Sequence, residues 1–288
     1  MVTPITPNGA IDTAAVAQLV EHLAQAGVSP LLMGTTGEGS SVSTTDGALI
    51  AKQALQTAAG RVKVYAALTG NCISEQKRQA DNYATLGVDA LVATLPCYYQ
   101  LTPGQMYDYY SSIADYCKVP FLLYNILATT HMSIPVDVVQ RLADHPNILG
   151  LKDSERNEQR QAEILSFCAD RADFSYFCGC AALSSNALSL GADGIVPSGG
   201  NLIPETYQRL YEAGARGDKA ESDRLQEVTN SVCQNYQKGF TLGESLAALK
   251  VMLGTRGLCG PDMLPPLTRL TPEQESTLAE AATKITLQ

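Results

Sequence analysis

Apolar positions along the chain recur with two alternating periods. In "TAAVAQLVEHLAQAG", Val16, Leu19, Val20 and Leu23 share one helical face, behind Asp12 or Thr13 as cap and stopped by Gly27. A short run, "SPLLMG" at 29–34, follows, then a helical pattern, "TTDGALIAKQALQTAAG", that ends at Gly60, and a strand pattern, "VKVYAALTG", at 62–70. The alternation continues through a helix at 73–86 closed by Gly87, the strand "VDALVATLP", a helix at 103–117, the strand "VPFLLYNI", a helix at 135–144 and the strand "NILGLK". A helix at 156–169, the strand "FSYFCG", a helix at 181–190 and the strand "ADGIVPS" follow. With "MVTPI" counted as a first strand, one that begins unusually close to the first residue, eight strands each feed a helix.

The strands are short and rich in Val, Leu and Ile, as expected where helices cover both faces of a parallel sheet. Three helix-to-strand joins are alike, "AGVSPLL", "LGVDALV" and "LGADGIV", each a glycine stop followed at once by an apolar run. Eight such units, with no glycine-rich dinucleotide fingerprint opening the chain, predict an α/β fold of the (β/α)8 TIM barrel class over a doubly wound open sheet. Further helices at about 203–214, 217–238, 243–256 and 272–286 append to it. No low-complexity linker intervenes, so residues 1–288 read as a single domain, with a barrel core at about 1–202 and C-terminal helices at about 203–288.

Composition narrows the function. A formal net charge of −9 opposes nucleic acid or an anionic membrane as partner, since both select clustered Lys and Arg. Nothing approaches the ~18 unbroken apolar residues of a membrane helix, and no signal-peptide pattern follows Met1, which predicts a cytoplasmic protein. The eight cysteines are scattered, and the only close pair, Cys178 and Cys180, is spaced too tightly for a zinc site, so no metal is assigned.

In a barrel of this class the chemistry lies at the C-terminal ends of the strands. That rule selects Thr35, Thr36 and Glu38 after strand 2, then Pro96, Tyr98 and Tyr99 after strand 4. It adds Tyr124 and Asn125 ending strand 5, Lys152 ending strand 6, and Ser198 to Asn201 after strand 8. A lysine held dry on an inward position loses its proton more readily and becomes a nucleophile towards a ketone or aldehyde. The imine it forms stabilises a neighbouring carbanion as an enamine. The alternative is that Lys152 reaches out to solvent or pairs with Asp153, and position alone does not separate the two readings.

Tyr124 ends the strand next to that of Lys152 and could shuttle a proton, although a tyrosine in "LLYNI" also suits a core. The glycine-bracketed "MGTTGEGSS" offers backbone amides to a carboxylate or phosphate, without the spacing or lysine of a P-loop. "PSGGN" could hold a phosphate, but no basic residue accompanies it. His22, His131 and His145 have no partners that would make a Ser-His-Asp arrangement.

Taken together, "GTTGE" at 34–38, "PCYY" at 96–99, "YN" at 124–125 and "GLKDS" at 150–154 resemble, in order and spacing, the dihydrodipicolinate synthase / N-acetylneuraminate lyase family of pyruvate-dependent class I aldolases. The resemblance extends over essentially the whole chain, through "TPNGAID", "GADGIVPSGGN" and "LAALKVMLGTRG". It implies that Lys152 forms the imine with pyruvate or another 2-oxo acid, with no cofactor beyond that covalent bond. Tyr124 would be the acid/base, and Thr35 would relay its proton. Thr36 and its backbone N–H would hold the substrate carboxylate, with Gly37 a further substrate-binding residue, and Val196 would contact pyruvate through its backbone. Tyr98 would reach across a subunit contact, in a homotetramer built as a dimer of dimers.

One segment departs from the pattern. After the catalytic tyrosine the synthases read Y-N-x-P-x-R-T, and that arginine grips the carboxylate of aspartate semialdehyde. Here the chain reads "YNILATTH", with Leu127 at the proline and Thr129 at the arginine. Losing such a cation costs ~2–5 kcal/mol of binding. Thr129, Thr130, Ser154 and Asn157 would better suit a polyhydroxylated aldehyde, and "KDS" is closer to the aldolases of 2-keto-3-deoxy sugar acids. The expected activity is therefore a lyase that cleaves or forms such a sugar acid. A dihydrodipicolinate synthase, a sialic-acid lyase and a sugar-acid dehydratase are the alternatives, ahead of a non-catalytic barrel that binds a 2-oxo acid.

Overall fold

The computed structural model describes residues 1–284. Among these, seven strands form a parallel sheet in which each takes its place in chain order. They are β1 Leu31–Leu32, β2 Tyr65–Leu68, β3 Ala90–Thr94, β4 Phe121–Asn125, β5 Ile148–Asp153, β6 Ser175–Cys178 and β7 Gly194–Ile195. The helices are α1 Thr13–Gln25, α2 Thr44–Ala58, α3 Ile73–Leu86, α4 Pro103–Ala114, α5 Leu127–Thr130, α6 Val136–Leu142, α7 Glu158–Cys168, α8 Ser184–Ser189, α9 Pro204–Ala215, α10 Lys219–Gln237, α11 Leu242–Gly254 and α12 Pro272–Thr283. The alternation read from the apolar pattern is the alternation of the fold, the arrangement of the (β/α)8 class. Residues 285 and 286 of the last expected helix lie outside the described residues.

The chain divides into two compact units. The first comprises residues 1–64, 198–209 and 224–288, and the second residues 65–197 and 210–223.

In the first unit, α1 buries Val16, Leu19, Val20 and Leu23, the face its period indicated, and Asp12 caps it by accepting from the Ala15 amide. The expected strand "MVTPI" makes no ladder. Ile5 forms one antiparallel bridge to Ile11, because Pro4 lacks an amide and the turn at Thr6–Ala10 sends the chain back at once. The segment is anchored by single bonds instead: the Met1 amino group donates to the Leu31 carbonyl at 2.7 Å, and the Val2 amide to Asn201 Oδ1 at 2.9 Å. β1 is only two residues long, since Met33 turns to φ +51° and leaves the extended region.

In the second unit the ladder is regular. Leu91, Val92, Ala93 and Thr94 pair with Phe121 to Tyr124, and Leu122 to Asn125 with Gly150 to Asp153. β3 and β4 are buried almost throughout, which accounts for their unbroken apolar runs. Gly87 ends α3 at φ +94°, a left-handed turn that glycine adopts without penalty, and Gly27 and Gly191 turn likewise at the two similar joins. Gly150 admits no side chain, because a Cβ there would stand 2.5 Å from the Ser175 carbonyl oxygen. Among the described residues no helix is long and apolar enough to cross a membrane.

Candidate active site

Residues one apart on a strand face opposite sides, so the ends of β4 and β5 present two distinct pairs. The first pair is Tyr124 and Lys152, which stand opposite each other in the ladder. Both are buried, Tyr124 with 3 % and Lys152 with 7 % of its surface exposed. The Lys152 Nζ lies over the Tyr124 ring, 3.8 Å from its centroid. An amine in that position sits against an aromatic face rather than in water. Gly179, just past β6, makes room for it: a Cβ there would come within 3.1 Å of Lys152 Cε and 2.0 Å of Ser154 Oγ.

The second pair is Asn125 and Asp153, and it shows what the carboxylate beside Lys152 is bonded to. Asp153 does not pair with the lysine beside it in sequence. Its Oδ2 takes the Arg160 Nε at 2.7 Å, while Oδ1 accepts from Asn125 Nδ2 and from the Glu155 amide, each at 2.9 Å. Asn125 also donates to Glu155 Oε2 at 3.1 Å, and its Oδ1 accepts the Ile134 amide at 3.0 Å. Burial raises the Glu155 carboxyl, but the hydrogen bonds of Ser133 and Asn125 and the charge of Arg160 outweigh it and hold the group below its ordinary range. Lys152 therefore neither reaches solvent nor pairs with Asp153.

In the first unit, Thr35–Gly37 form one turn of 3-10 helix behind β1. The amides of Gly37 and Gly39 both donate to the Gly34 carbonyl, and that of Glu38 to the Thr35 carbonyl. Gly37 is thus committed to the turn through its N–H, and its carbonyl accepts from Thr3 Oγ1 at 2.5 Å. It also admits no side chain, since a Cβ would lie 2.8 Å from the Met1 carbonyl oxygen. The amide of Gly37 is therefore not one of those the loop can present to a carboxylate. Thr35 and Thr36 are part-exposed. Glu38 follows in the left-handed region at φ +54°, buried, its carboxylate paired with the buried Lys250 of α11 and accepting the Leu264 amide at 2.7 Å.

The remaining expected residues are more dispersed. Tyr98 and Tyr99 lie on the loop after β3, 79 % and 73 % exposed, with their rings edge to face at 4.9 Å. Thr129 sits on α5, a single turn that the sequence pattern did not indicate, with Leu127 exposed at its start. The Thr130 hydroxyl is buried and donates to the Ile126 and Met132 carbonyls, and Asn157 Oδ1 caps α7 by accepting the Arg160 amide. Those two polar groups are engaged in holding the chain itself. Val196 donates its amide to the Cys178 carbonyl at 2.8 Å, and Ser198–Asn201 form another 3-10 turn.

Sequence reasoning missed the Asp153–Arg160–Glu155 cluster and the Glu38–Lys250 pair. A signal existed for the second: Lys250 is the one charge inside the apolar run "LAALKVML". None existed for the first, because Arg160 is an ordinary residue in a polar helix until the fold brings it to the strand end.

The Lys152 amine thus lies against the Tyr124 ring at adjacent strand ends of an alternating α/β fold. The model of the dihydrodipicolinate synthetase family matches residues 1–285, and the chain belongs to that family of pyruvate-dependent class I aldolases and lyases. The 4-hydroxy-tetrahydrodipicolinate synthase of Alkalilimnicola ehrlichii is 29 % identical over 98 % of this chain and 95 % of its own length. The dihydrodipicolinate synthase structure from Bacteroides thetaiotaomicron, 29 % identical, superposes with a TM-score of 0.92 over 98 % of this chain and 96 % of its own. A prophage protein of the dihydrodipicolinic acid synthase family from E. coli K12, solved in complex with pyruvate, is 25 % identical with a TM-score of 0.92, covering 100 % and 97 %.

Proposed function

We propose that the protein is a Schiff-base lyase that cleaves, or forms by the reverse reaction, a 2-keto-3-deoxy sugar acid with pyruvate as one product. The observation that carries this reading is the buried Lys152 amine against the Tyr124 ring, with the nearest acidic side chain in sequence turned away and paired elsewhere. The amine attacks the 2-oxo carbon, and water leaves as the carbinolamine collapses to the imine. The protonated imine then accepts the electron pair of the breaking C3–C4 bond, while a base takes the proton of the C4 hydroxyl. The products are an aldehyde and the pyruvate enamine. Tyr124 moves the proton, relayed by Thr35, and returns it to the enamine carbon; hydrolysis frees pyruvate.

Thr36 holds the substrate carboxylate, and the Val196 backbone contacts the pyruvate half. Thr129 and Ser154 meet the hydroxylated half, and Tyr98 reaches the site of a second copy in a homotetramer. No cofactor beyond the covalent imine is part of this scheme. The pyruvate complex of the E. coli K12 prophage protein supports a 2-oxo acid as ligand.

Borohydride reduction in the presence of pyruvate, followed by peptide mass spectrometry, tests the mechanism. A reduced pyruvate adduct on Lys152, absent from Lys152→Ala, is the expected result; a folded protein that gives none refutes it. Cleavage assays on a panel of 2-keto-3-deoxy sugar acids then test the substrate.

A second reading is supported by the names of the curated relatives, 4-hydroxy-tetrahydrodipicolinate synthase. Thr129 separates the two. If the absent cation excludes aspartate semialdehyde, Thr129→Arg raises the rate of its condensation with pyruvate. A native chain that already condenses it efficiently decides for the synthase.

A further inference from the structure

Glu38 has no place in the scheme above, yet its backbone takes a conformation that favours glycine. Among the described residues four that are not glycine have positive φ, and two of them, Met33 at +51° and Glu38 at +54°, bracket the turn Thr35–Gly37. The Glu38 carboxylate is wholly buried, and so is the Lys250 ammonium paired with it. Apolar residues of the same volume are often as stable as a buried ion pair, so the pair is better explained by what it holds in place. We infer that Glu38 and Thr3 are positioning residues: they tether the turn on two sides and so fix the Thr36 amide and hydroxyl that take the substrate carboxylate. The inference rests on the reading of Lys152 as nucleophile and of Thr36 as carboxylate holder.

The two tethers come from distant parts of the first unit. On one side Thr3 Oγ1 donates to the Gly37 carbonyl at 2.5 Å, and a Cβ at Gly37 would stand 2.8 Å from the Met1 carbonyl oxygen, so the turn lies close against residues 1–3. On the other, Glu38 Oε2 accepts the Leu264 amide at 2.7 Å. Its Oε1 meets Lys250 Nζ, which itself donates to the Asp262 carbonyl at 2.7 Å. Within the turn, the Gly37 amide is taken by the Gly34 carbonyl, and the Glu38 amide that follows by the Thr35 carbonyl. Thr36 is part-exposed, and its amide and hydroxyl engage no partner among the described residues. These are the donors that the tethered turn leaves to a ligand. The Glu38 carboxylate cannot itself act on that ligand, having no exposed surface.

Loss of a tether has a definite consequence. A left-handed residue without its side-chain anchor is free to return to the right-handed or extended regions, and a change of φ at 38 turns the short segment before it. Two donors that share one carboxylate depend on distance and angle together, so a small rotation weakens both. The Lys152 amine belongs to β5 and keeps its place against Tyr124. Affinity for the 2-oxo acid therefore falls while the capacity to form the imine remains.

The test is the initial rate of borohydride trapping of pyruvate on Lys152 as a function of pyruvate concentration, read by peptide mass spectrometry on the full chain. Glu38→Gly/Lys250→Met allows the left-handed backbone, removes the tether and leaves no orphan charge. Its half-saturating pyruvate concentration is expected to rise at least about tenfold, the worth of a hydrogen bond to an ionised group, with the rate at saturation near native. Glu38→Gln/Lys250→Met, whose side-chain carbonyl can still take the Leu264 amide, should recover most of the affinity. Thr3→Val touches no buried charge and should shift the concentration in the same direction; it carries the test if the pair variants do not fold. Thr36→Val should raise it too, and combined with the tether loss should add less than the two changes give separately. Melting temperatures that fall while the half-saturating concentration stays native, or full additivity with Thr36→Val, overturn the inference and leave the Lys152 adduct standing. No effect of Thr36→Val removes Thr36 as carboxylate holder and the inference with it. No adduct in the native protein at any concentration overturns the functional reading as well.

Discussion

The Lys152 amine and the Tyr124 ring are cross-strand partners, 3.8 Å from nitrogen to ring centroid, in a ladder whose next pair is Asn125 and Asp153. Because side chains alternate, two adjacent residues on each strand serve opposite faces: the first pair lies amine against ring and the second anchors the strand ends. The proposed reacting pair and its mounting are consecutive in sequence.

Removing the Tyr124 hydroxyl separates proton transfer from binding. Tyr124→Phe keeps the ring under the lysine and should retain the borohydride-trapped pyruvate adduct. Turnover should fall ~10²–10⁴-fold, the usual worth of a positioned acid/base. Steady-state kinetics beside adduct yield checks this, and an unchanged kcat would remove Tyr124 from the mechanism.

Gly179 has no room for a methyl group. Gly179→Ala places a carbon 2.0 Å from Ser154 Oγ and 3.1 Å from Lys152 Cε. Ser154 can rotate, but the lysine stem must shift as well. Overpacking of this kind costs ~1–3 kcal/mol, and a displaced nucleophile should lower kcat by at least about tenfold. The double change Gly179→Ala/Ser154→Gly should recover stability first. Denaturation curves and kinetics on the same samples distinguish the two effects.

The Glu38–Lys250 pair should be severe to break and mild to replace. Glu38→Ala leaves Lys250 buried without its anion and the Leu264 amide without its acceptor. A loss of ~3–5 kcal/mol is expected from urea unfolding. Replacing both charges together with apolar residues of similar volume should restore most of it. Equal losses in the single and double variants would contradict this account.

The thiols should separate sharply under alkylation. Cys72 is exposed and held below the usual thiol range by the Ser74 hydroxyl and the Glu75 amide at the start of α3. Burial pushes Cys178 and Cys259 up to about 12. Cys72 therefore ionises more readily than the buried pair, so iodoacetamide at mildly alkaline pH should label Cys72 while Cys178 and Cys259 wait for denaturant. Time-resolved peptide mapping reads the order.

Much of this molecule was legible in the chain because its signals are local. The apolar stripe of α1, the glycine that ends α3 and the strand "FLLYN" need only near neighbours to be read. The first strand was misread because "MVTPI" has strand composition, while the proline and the turn after it remove the ladder. Lys152 was conspicuous as a charge ending an apolar run. What that charge was not paired with could not be read, since Arg160 and Asn125 lie 8 and 27 residues from it in sequence. The single turn of α5 was equally hidden, having no period long enough to detect.

The bond from the Leu264 amide to Glu38 spans 226 positions. During synthesis Lys152 emerges early, and the strands that carry it can pair with neighbours already made. The loop at 35–38 has no such freedom, because its last acceptor stays unmatched until the chain has grown past residue 264. A product truncated before that residue would leave the Glu38 carboxylate without the Leu264 amide, so the first unit, assembled from both ends of the sequence, is completed only when the chain is nearly all made.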